Sequence, residues 1–155
     1  MRTSLQNIYL LMMITAIMLG CRADEDIQTF DFSGDWKVSS FVDLKTSEII
    51  IKTEENTWNQ LNNADNIIRF EKTDATKGVV SGINVTNSFY GVYTTDAKEK
   101  ISITNVAWTK INEPEWGKLF HSITDAEAYE IKNSMLTIYY SDGTKCIRFE
   151  RVDNK

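Results

Sequence analysis

The sequence predicts an α+β domain in which a curled, mostly antiparallel β-sheet, partly barrel-like, packs with one main α-helix near residues 113–124. Three observations carry this prediction. Nine short segments are rich in β-branched and aromatic residues, as strands are. Turn-forming residues separate several of these segments. One segment repeats its apolar residues at helical spacing. Many strands in series with one good helix favour an antiparallel α+β arrangement.

The strand segments are short and several alternate apolar with polar residues. In Leu136-Thr137-Ile138-Tyr139 this alternation predicts one buried and one solvated face. Asn133-Ser134 and the run 141–144 are predicted to turn the chain between the last three strands. The predicted strands are Trp36–Val42, Glu48–Ile51, Ile67–Glu71, Gly78–Ile83, Phe89–Tyr93, Lys100–Asn105, Glu127–Ile131, Met135–Tyr140 and Lys145–Arg151.

The main helix is predicted between Asn112 and Thr124. Asn112 suits an N-cap, Pro114 suits the first turn, and Glu115 lies three residues after the cap. An apolar stripe at i, i+3, i+4 and i+7 should face the sheet, and it consists of Trp116, Leu119, Phe120 and Ile123. A second, weaker helix is predicted over residues 54–62, with Trp58 and Leu61 turned inward.

Composition limits the class of protein. The chain has 155 residues, with 22 Asp+Glu against 17 Lys+Arg and a net charge of −5. This length suits one folded domain, which we place at residues 30–155. The acidic excess argues against nucleic-acid binding, which needs a basic face. Two cysteines cannot form the disulfide framework of a small secreted scaffold.

The first twenty residues are predicted to be a signal peptide. Arg2 precedes an apolar run over residues 8–19, which is shorter than the about 20 residues of a membrane-spanning helix. The run ends in Leu19-Gly20-Cys21, which resembles the bacterial lipobox, so we expect cleavage after Gly20 and acylation of Cys21. An ordinary secretory peptide and a leading buried helix are the alternatives. Several acyl chains on Cys21 would hold the protein on the membrane firmly.

Residues 21–29 are predicted to join the acylated Cys21 to the domain as an acidic tether. The run Asp24-Glu25-Asp26 has two interpretations. It resembles the short acidic signals that send some Gram-negative lipoproteins to the cell surface, and it also suits a solvated spacer. We therefore expect a lipid anchor in the outer membrane, with the domain on the periplasmic face or on the cell surface.

Catalytic and metal-binding motifs are missing from the sequence. His121 is the single histidine, and its place beside the apolar stripe predicts a surface or half-buried side chain. Glu113 and Glu115 are explained by the favourable position of acids at a helix N-terminus. Gly78 and Gly82 are expected at turn and bulge positions. The prediction is therefore a protein that is not an enzyme, with no metal and no cofactor.

Aromatic residues offer the one candidate binding site. They have two interpretations: they line an apolar pocket within the curled sheet, or they fill the core between sheet and helix. The candidate pocket residues are Trp36, Trp58, Phe89, Tyr93, Trp108 and Trp116. Gly34-Asp35-Trp36 is similar to the Gly-x-Trp start of lipocalins, although the helix here precedes the last three strands. The lone Cys146 is expected to be a small buried hydrophobe.

From Phe30 to Arg151 the order of motifs resembles the META domain, also called HslJ-like, of bacterial envelope lipoproteins. The central signature is similar at Asn87, Gly91 and Tyr93, and Thr109-Lys110-Ile111 matches the Thr-Arg-Met segment of that family. Many members have cysteines at two positions where this chain has Thr86 and Asn112-Glu113, and the joint loss is expected if those cysteines pair in the relatives.

The resemblance implies a non-enzymatic outer-membrane lipoprotein that acts in envelope stress tolerance or assembly through contacts with other envelope proteins. The alternative function is a lipocalin-like carrier or sequestering protein for a small hydrophobic ligand.

Overall fold

The structure, a computed structural model, describes residues 31, 33–58, 62–96 and 98–152. These residues form one nine-stranded antiparallel sheet, so the predicted α+β class with a curled antiparallel sheet is confirmed. All nine predicted strands are present, within three residues at each end. They are β1 (Gly34–Asp43), β2 (Glu48–Ile50), β3 (Ile67–Lys72), β4 (Lys77–Ile83), β5 (Ser88–Thr95), β6 (Ile101–Trp108), β7 (Ala128–Lys132), β8 (Met135–Tyr140) and β9 (Lys145–Arg151).

The sheet curls into an incomplete barrel. Its strand order is β6-β5-β4-β3-β1-β9-β8-β7, so β1 and β9, the first and last strands in the chain, are neighbours. The short β2 pairs with the second half of β1. The edge strands β6 and β7 meet through a bridge between Lys100 and Ala128. Two backbone hydrogen bonds flank this bridge, from Ile101 to Glu127 (3.1 Å) and from Tyr129 to Glu99 (2.8 Å). The barrel is therefore joined at one point and open beyond it.

Antiparallel pairing separates the connections into two groups. At the terminal end of the barrel, β1 begins at Gly34 and β9 finishes at Arg151. At the opposite end, which we call the loop end, lie the segments 51–58, 62–66, 84–87 and 109–114 together with the helix. Hydrogen bonds join these segments: the backbone of Trp116 donates to Asn56 O (3.0 Å), and Asn66 Nδ2 donates to Trp116 O (2.9 Å). The ten residues of β1 extend about 30 Å from one end to the other.

The main helix is shorter than predicted. The α-helix α1 covers Glu115–Leu119, and a 3-10 helix continues over Phe120–Asp125. The Ser122 and Thr124 hydroxyls donate to the carbonyls three residues earlier, a local bond that competes with regular helix. The predicted cap at Asn112 is wrong, because Pro114 occupies the N-cap position and no side chain caps the helix. The predicted stripe is confirmed: Trp116, Phe120 and Ile123 are fully buried and Leu119 is half-buried.

The second predicted helix is wrong where it can be compared with the structure. Residues 54–58 form a turn and a loop, and residues 59–61, including Leu61, lie outside the described residues. The Asn56 side chain explains the turn, since its Oδ1 accepts from Thr53 N (2.8 Å) and its Nδ2 donates to Ile51 O (2.9 Å). Such side-chain bonds to the backbone favour turns over helix. A 3-10 turn follows at Asn62–Ala64.

Large side chains fill the inside of the curled sheet. Edge-on ring contacts connect them, such as Phe41 to Trp116 at 4.9 Å and Phe70 to Tyr93 at 5.3 Å between ring centroids. Burial of these rings is the main source of stability, at about 25 cal/mol for each Å² of apolar surface. The largest fully buried side chains are Trp36, Phe70, Trp116, Phe120 and Phe149.

The expectation that Gly78 and Gly82 occupy turns or bulges is wrong, because both lie inside β4. A Cβ on Gly82 would overlap Ile67 O and the Phe89 ring, and a Cβ on Gly78 would overlap Glu71 O and the Tyr93 ring. The two glycines therefore leave room for aromatic rings that cross over the strand. The register shifts fall elsewhere, between Val38 and Ser40 and between Tyr90 and Val92.

Within the described residues, no helix has the length and apolar character needed to cross a membrane.

Candidate functional site

An open cleft of about 570 Å³ lies at the loop end, beside the end of β6. Its walls come from four parts of the chain: Asn87 from the turn before β5, Trp108 from β6, the 109–114 segment, and α1 with the 3-10 helix that follows it. Its volume falls within the range of small-molecule sites. The lining residues are Asn87, Trp108, Thr109, Lys110, Ile111, Asn112, Glu113, Lys118 and His121.

Glu113 is the buried acid of this cleft, with only 5% of its surface exposed. Its Oε1 accepts hydrogen bonds from Asn87 Nδ2 and from Thr86 Oγ1 (3.2 Å), and its Oε2 lies 3.0 Å from His121 Nε2. Burying a carboxyl group is costly unless polar partners surround it. Gly117 provides the space, because its missing side chain would lie 3.3 Å from Glu113 Cδ and Oε2. The helix-terminus explanation of Glu113 therefore missed its main contacts.

Asn87 organises the walls of the cleft. Its Oδ1 accepts from Thr109 Oγ1 (3.0 Å) and from Ile111 N (2.7 Å), while its Nδ2 also donates to Ile111 O (2.9 Å). Thr109 Oγ1 in turn accepts from Ser88 N (3.0 Å). One side chain thus ties the turn before β5 to the segment after β6. Of the predicted signature residues, Asn87 and Thr109 meet here, whereas Gly91 and Tyr93 lie further along β5.

His121 is held in a defined orientation. Its ring stacks on Trp108 at 4.2 Å, and Trp108 stacks with the buried Phe89 at 4.5 Å, so three rings run from the core to the surface. The His121 side chain is 45% exposed, which confirms the expected surface position. Because a carboxylate oxygen accepts hydrogen bonds, His121 Nε2 is the donor in its contact with Glu113.

Two lysines border the cleft. Lys110 and Lys118 are exposed, and among the described residues neither has a carboxylate within 4 Å. Ile111 also lines the cleft and is 61% exposed. The cleft therefore combines an apolar floor with a basic rim.

The other predicted pocket residues are dispersed. Trp36, Phe89, Tyr93 and Trp116 lie within the packed core. The prediction that Trp58 is turned inward is wrong, because its side chain is 40% exposed on the 51–58 segment. Trp108 is the member that borders the cleft. Gly20 and Cys21, the predicted cleavage and acylation site, lie outside the described residues.

Cys146 lies outside the lining of the cleft. Cys146 is buried in β9, as expected, and burial raises the pKa of its thiol, which Arg148 opposes in part. In the part of the chain that the structure describes, no three His, Cys, Asp or Glu side chains are grouped so that they could hold a metal ion.

The comparisons with known proteins show a shared fold. No protein-family model matches the chain, and no curated protein matches it. The crystal structure of a DUF4847 family protein from Bacteroides vulgatus is similar, with a TM-score of 0.56 and 15% identity over 79% of this chain and 95% of that chain. A redesigned β-barrel is also similar, with a TM-score of 0.41 and 10% identity over 78% of this chain and 91% of its own. At 15% identity, the first likeness supports the fold alone.

Proposed function

We propose that this chain is a non-enzymatic lipoprotein of the Gram-negative outer membrane, anchored through acyl groups on Cys21, whose domain contacts other envelope proteins. The observation that carries the proposal is the apolar run over residues 8–19 that ends in Gly20-Cys21 and is followed at once by acidic residues. A cysteine directly after a small residue at the end of such a run suits a lipid attachment point.

The architecture supports action through a surface. The barrel interior is occupied by Trp36, Phe70, Phe120 and other large side chains, while the cleft is open. Such an open cleft offers a concave surface for contacts with other proteins.

The role in envelope stress tolerance or assembly follows from the META resemblance. Two contacts support that resemblance. The signature residues Asn87 and Thr109 are hydrogen-bonded to each other. The positions at which many META domains carry cysteines also adjoin here, because Thr86 Oγ1 lies 3.1 Å from Asn112 O and 3.2 Å from Glu113 Oε1.

Metabolic labelling with palmitate tests the anchor. The chain has two cysteines, so Cys146→Ala is a matched control for Cys21→Ala. We expect the label in the parent and in Cys146→Ala, and no label in Cys21→Ala. Equal incorporation in all three proteins would overturn the proposal. Protease treatment of intact cells then separates the two locations, since cleavage of the domain indicates surface display and protection indicates the periplasmic face.

Binding of a small hydrophobic molecule is the second candidate function. The cleft beside Trp108 favours it, and the barrel-like fold is compatible with it. Solvent extraction and mass spectrometry of the purified protein should find a stoichiometric apolar compound if the chain is a carrier. An extract without such a compound from protein purified from its native envelope would count against this function.

A further inference from the structure

We propose that the cleft at the loop end binds a small organic anion with a planar apolar body, of which an aromatic carboxylate is the simplest example. This inference deepens the second candidate function, on which it rests, by assigning the chemical class of the ligand. It depends on three features of the lining: an apolar floor, a basic rim and a rigid support.

The apolar floor is formed by Trp108, Ile111 and the ring of His121. The outer ring of the Phe89, Trp108 and His121 stack borders the cleft, and Ile111 lies largely in solvent beside it. A flat apolar body that packs against these side chains would remove their surface from water, which is favourable in proportion to the area covered. Planar rings also suit this floor because stacked aromatic pairs attract each other.

The basic rim favours an anionic ligand over a neutral ligand of the same shape. Lys110 and Lys118 border the same cleft, and neither has an acidic partner among the described residues. The carboxyl group of the lining, on Glu113, is buried and is already bound by Asn87, Thr86 and His121. A neutral ligand would partly desolvate the ammonium groups without compensation, whereas a carboxylate would pair with them.

The support behind these groups is rigid. Asn87 fixes the 109–114 segment through its bonds to Thr109 and Ile111, and Glu113 fixes the His121 ring. A site that is already ordered before binding loses less conformational entropy when the ligand arrives. The hydrogen bonds therefore order the walls of the cleft before a ligand arrives.

A matched pair of probes tests the ligand class. We would titrate the full-length protein in detergent with 4-fluorobenzoate and with 4-fluorobenzamide, which has the same ring without the charge, and follow ¹⁹F NMR line broadening against a micelle blank. We expect the benzoate to bind about ten-fold more tightly than the amide, since hydrogen bonds to charged groups are the stronger ones. Equal affinity, or no benzoate binding, would overturn the proposal.

Paired variants locate the binding. We expect Lys110→Gln with Lys118→Gln to weaken benzoate binding about ten-fold, and Lys45→Gln with Lys132→Gln, two exposed lysines outside the cleft, to leave it unchanged. An unchanged affinity in the first pair would overturn the site. Comparison with the extraction experiment separates the ligand class from the second candidate function. A neutral apolar compound in the extract together with failed benzoate binding overturns the ligand class alone. An extract without any small molecule, together with benzoate binding that depends on Lys110 and Lys118, counts against the carrier function alone.

Discussion

The barrel interior and the cleft both use aromatic side chains, but they order them by different means. In the interior, Trp116 is 0% exposed and packs edge-on against Phe41. Its Nε1 has no hydrogen-bond partner among the described residues. In the cleft, Trp108 stacks against His121, which is held by Glu113, which is held in turn by Asn87. Close packing of side chains holds the rings of the interior in place, whereas hydrogen bonds hold the rings of the cleft.

This difference predicts which changes affect stability and which affect binding. A packed interior loses free energy whenever a large side chain is removed, because the neighbouring atoms cannot collapse fully into the space. A hydrogen-bonded cleft loses its shape when one partner leaves the others unsatisfied, at a smaller cost. Interior substitutions should therefore unfold the chain, and substitutions in the cleft should leave it folded with an altered site.

The largest effect should come from the interior tryptophan. Trp116→Ala removes a fully buried ring, and we expect the free energy of unfolding to fall by about 3–5 kcal/mol. The exposed Trp58 provides the control, since Trp58→Ala should cost less than about 1 kcal/mol. Urea denaturation measures both. Comparable losses in the two variants would mean that packing around Trp116 does not dominate the interior.

A glycine of the barrel wall should give the next largest effect. In Gly82→Ala the new Cβ would overlap Ile67 O and the Phe89 ring, and we expect a loss of about 2–3 kcal/mol in the free energy of unfolding. The control is Gly143→Ala, which meets no atom within 4 Å but has a φ of +69°. Backbone strain alone should cost the control about 1 kcal/mol. An equal or smaller loss in Gly82→Ala would show that the β3 backbone and the Phe89 ring can shift to make room for the new Cβ.

The strands were predictable because their pattern is local. Alternation such as Leu136-Thr137-Ile138 depends on one sheet face being buried, and the structure buries Leu136 and Ile138 while Thr137 is half-buried. The helix was predictable as an apolar stripe but not as a regular helix. Ser122 and Thr124 donate hydrogen bonds to nearby carbonyls, and Asn56 bonds the backbone of its own turn. Such bonds compete with a regular helix, and the spacing of apolar residues does not predict them.

The cleft was predictable only in part. Asn87 and Thr109 were selected through a family resemblance, and His121 because it is the single histidine. Glu113 was missed as a partner of Thr86 and Asn87, because that contact joins segments 26 residues apart in the chain. One signal was present in the sequence: the polar pair Thr86-Asn87 follows the apolar Val85 and comes just before the predicted strand at Phe89, where a buried polar side chain would need partners.

Substitutions of Glu113 test whether hydrogen bonds hold the cleft in shape. Glu113→Ala leaves Asn87, Thr86 and His121 without their shared partner, and we expect a loss of about 1–3 kcal/mol in the free energy of unfolding. Glu113→Gln keeps the shape and should lose less. Glu115→Ala, which removes an exposed acid two residues later at the start of α1, is the control and should change stability by less than about 0.5 kcal/mol. Near-ultraviolet circular dichroism should also change in Glu113→Ala, because the Trp108 stack loosens. An unchanged spectrum would show that packing alone holds the stack.

The smallest effect should come from the outer wall near the terminal end, where neither packing nor a buried network operates. Asp35 accepts two hydrogen bonds of 2.6 Å from Arg69, and these bonds hold the pKa of the Asp35 carboxyl below its usual range. Because the pKa of Asp35 is lower in the folded state, the ionised carboxyl stabilises the fold at a pH above its unfolded pKa of about 3.9. This stabilisation is lost as the pH falls through the lower, folded pKa. Asp35→Asn should therefore lose less stability than the parent between pH 5 and pH 2, measured by urea denaturation. Asp125→Asn, the same change at an exposed site, should follow the parent. If Asp35→Asn also follows the parent, the Asp35–Arg69 ion pair contributes nothing measurable to the free energy of unfolding. Hydrogen bonds would then stabilise the cleft but not the outer wall of the barrel.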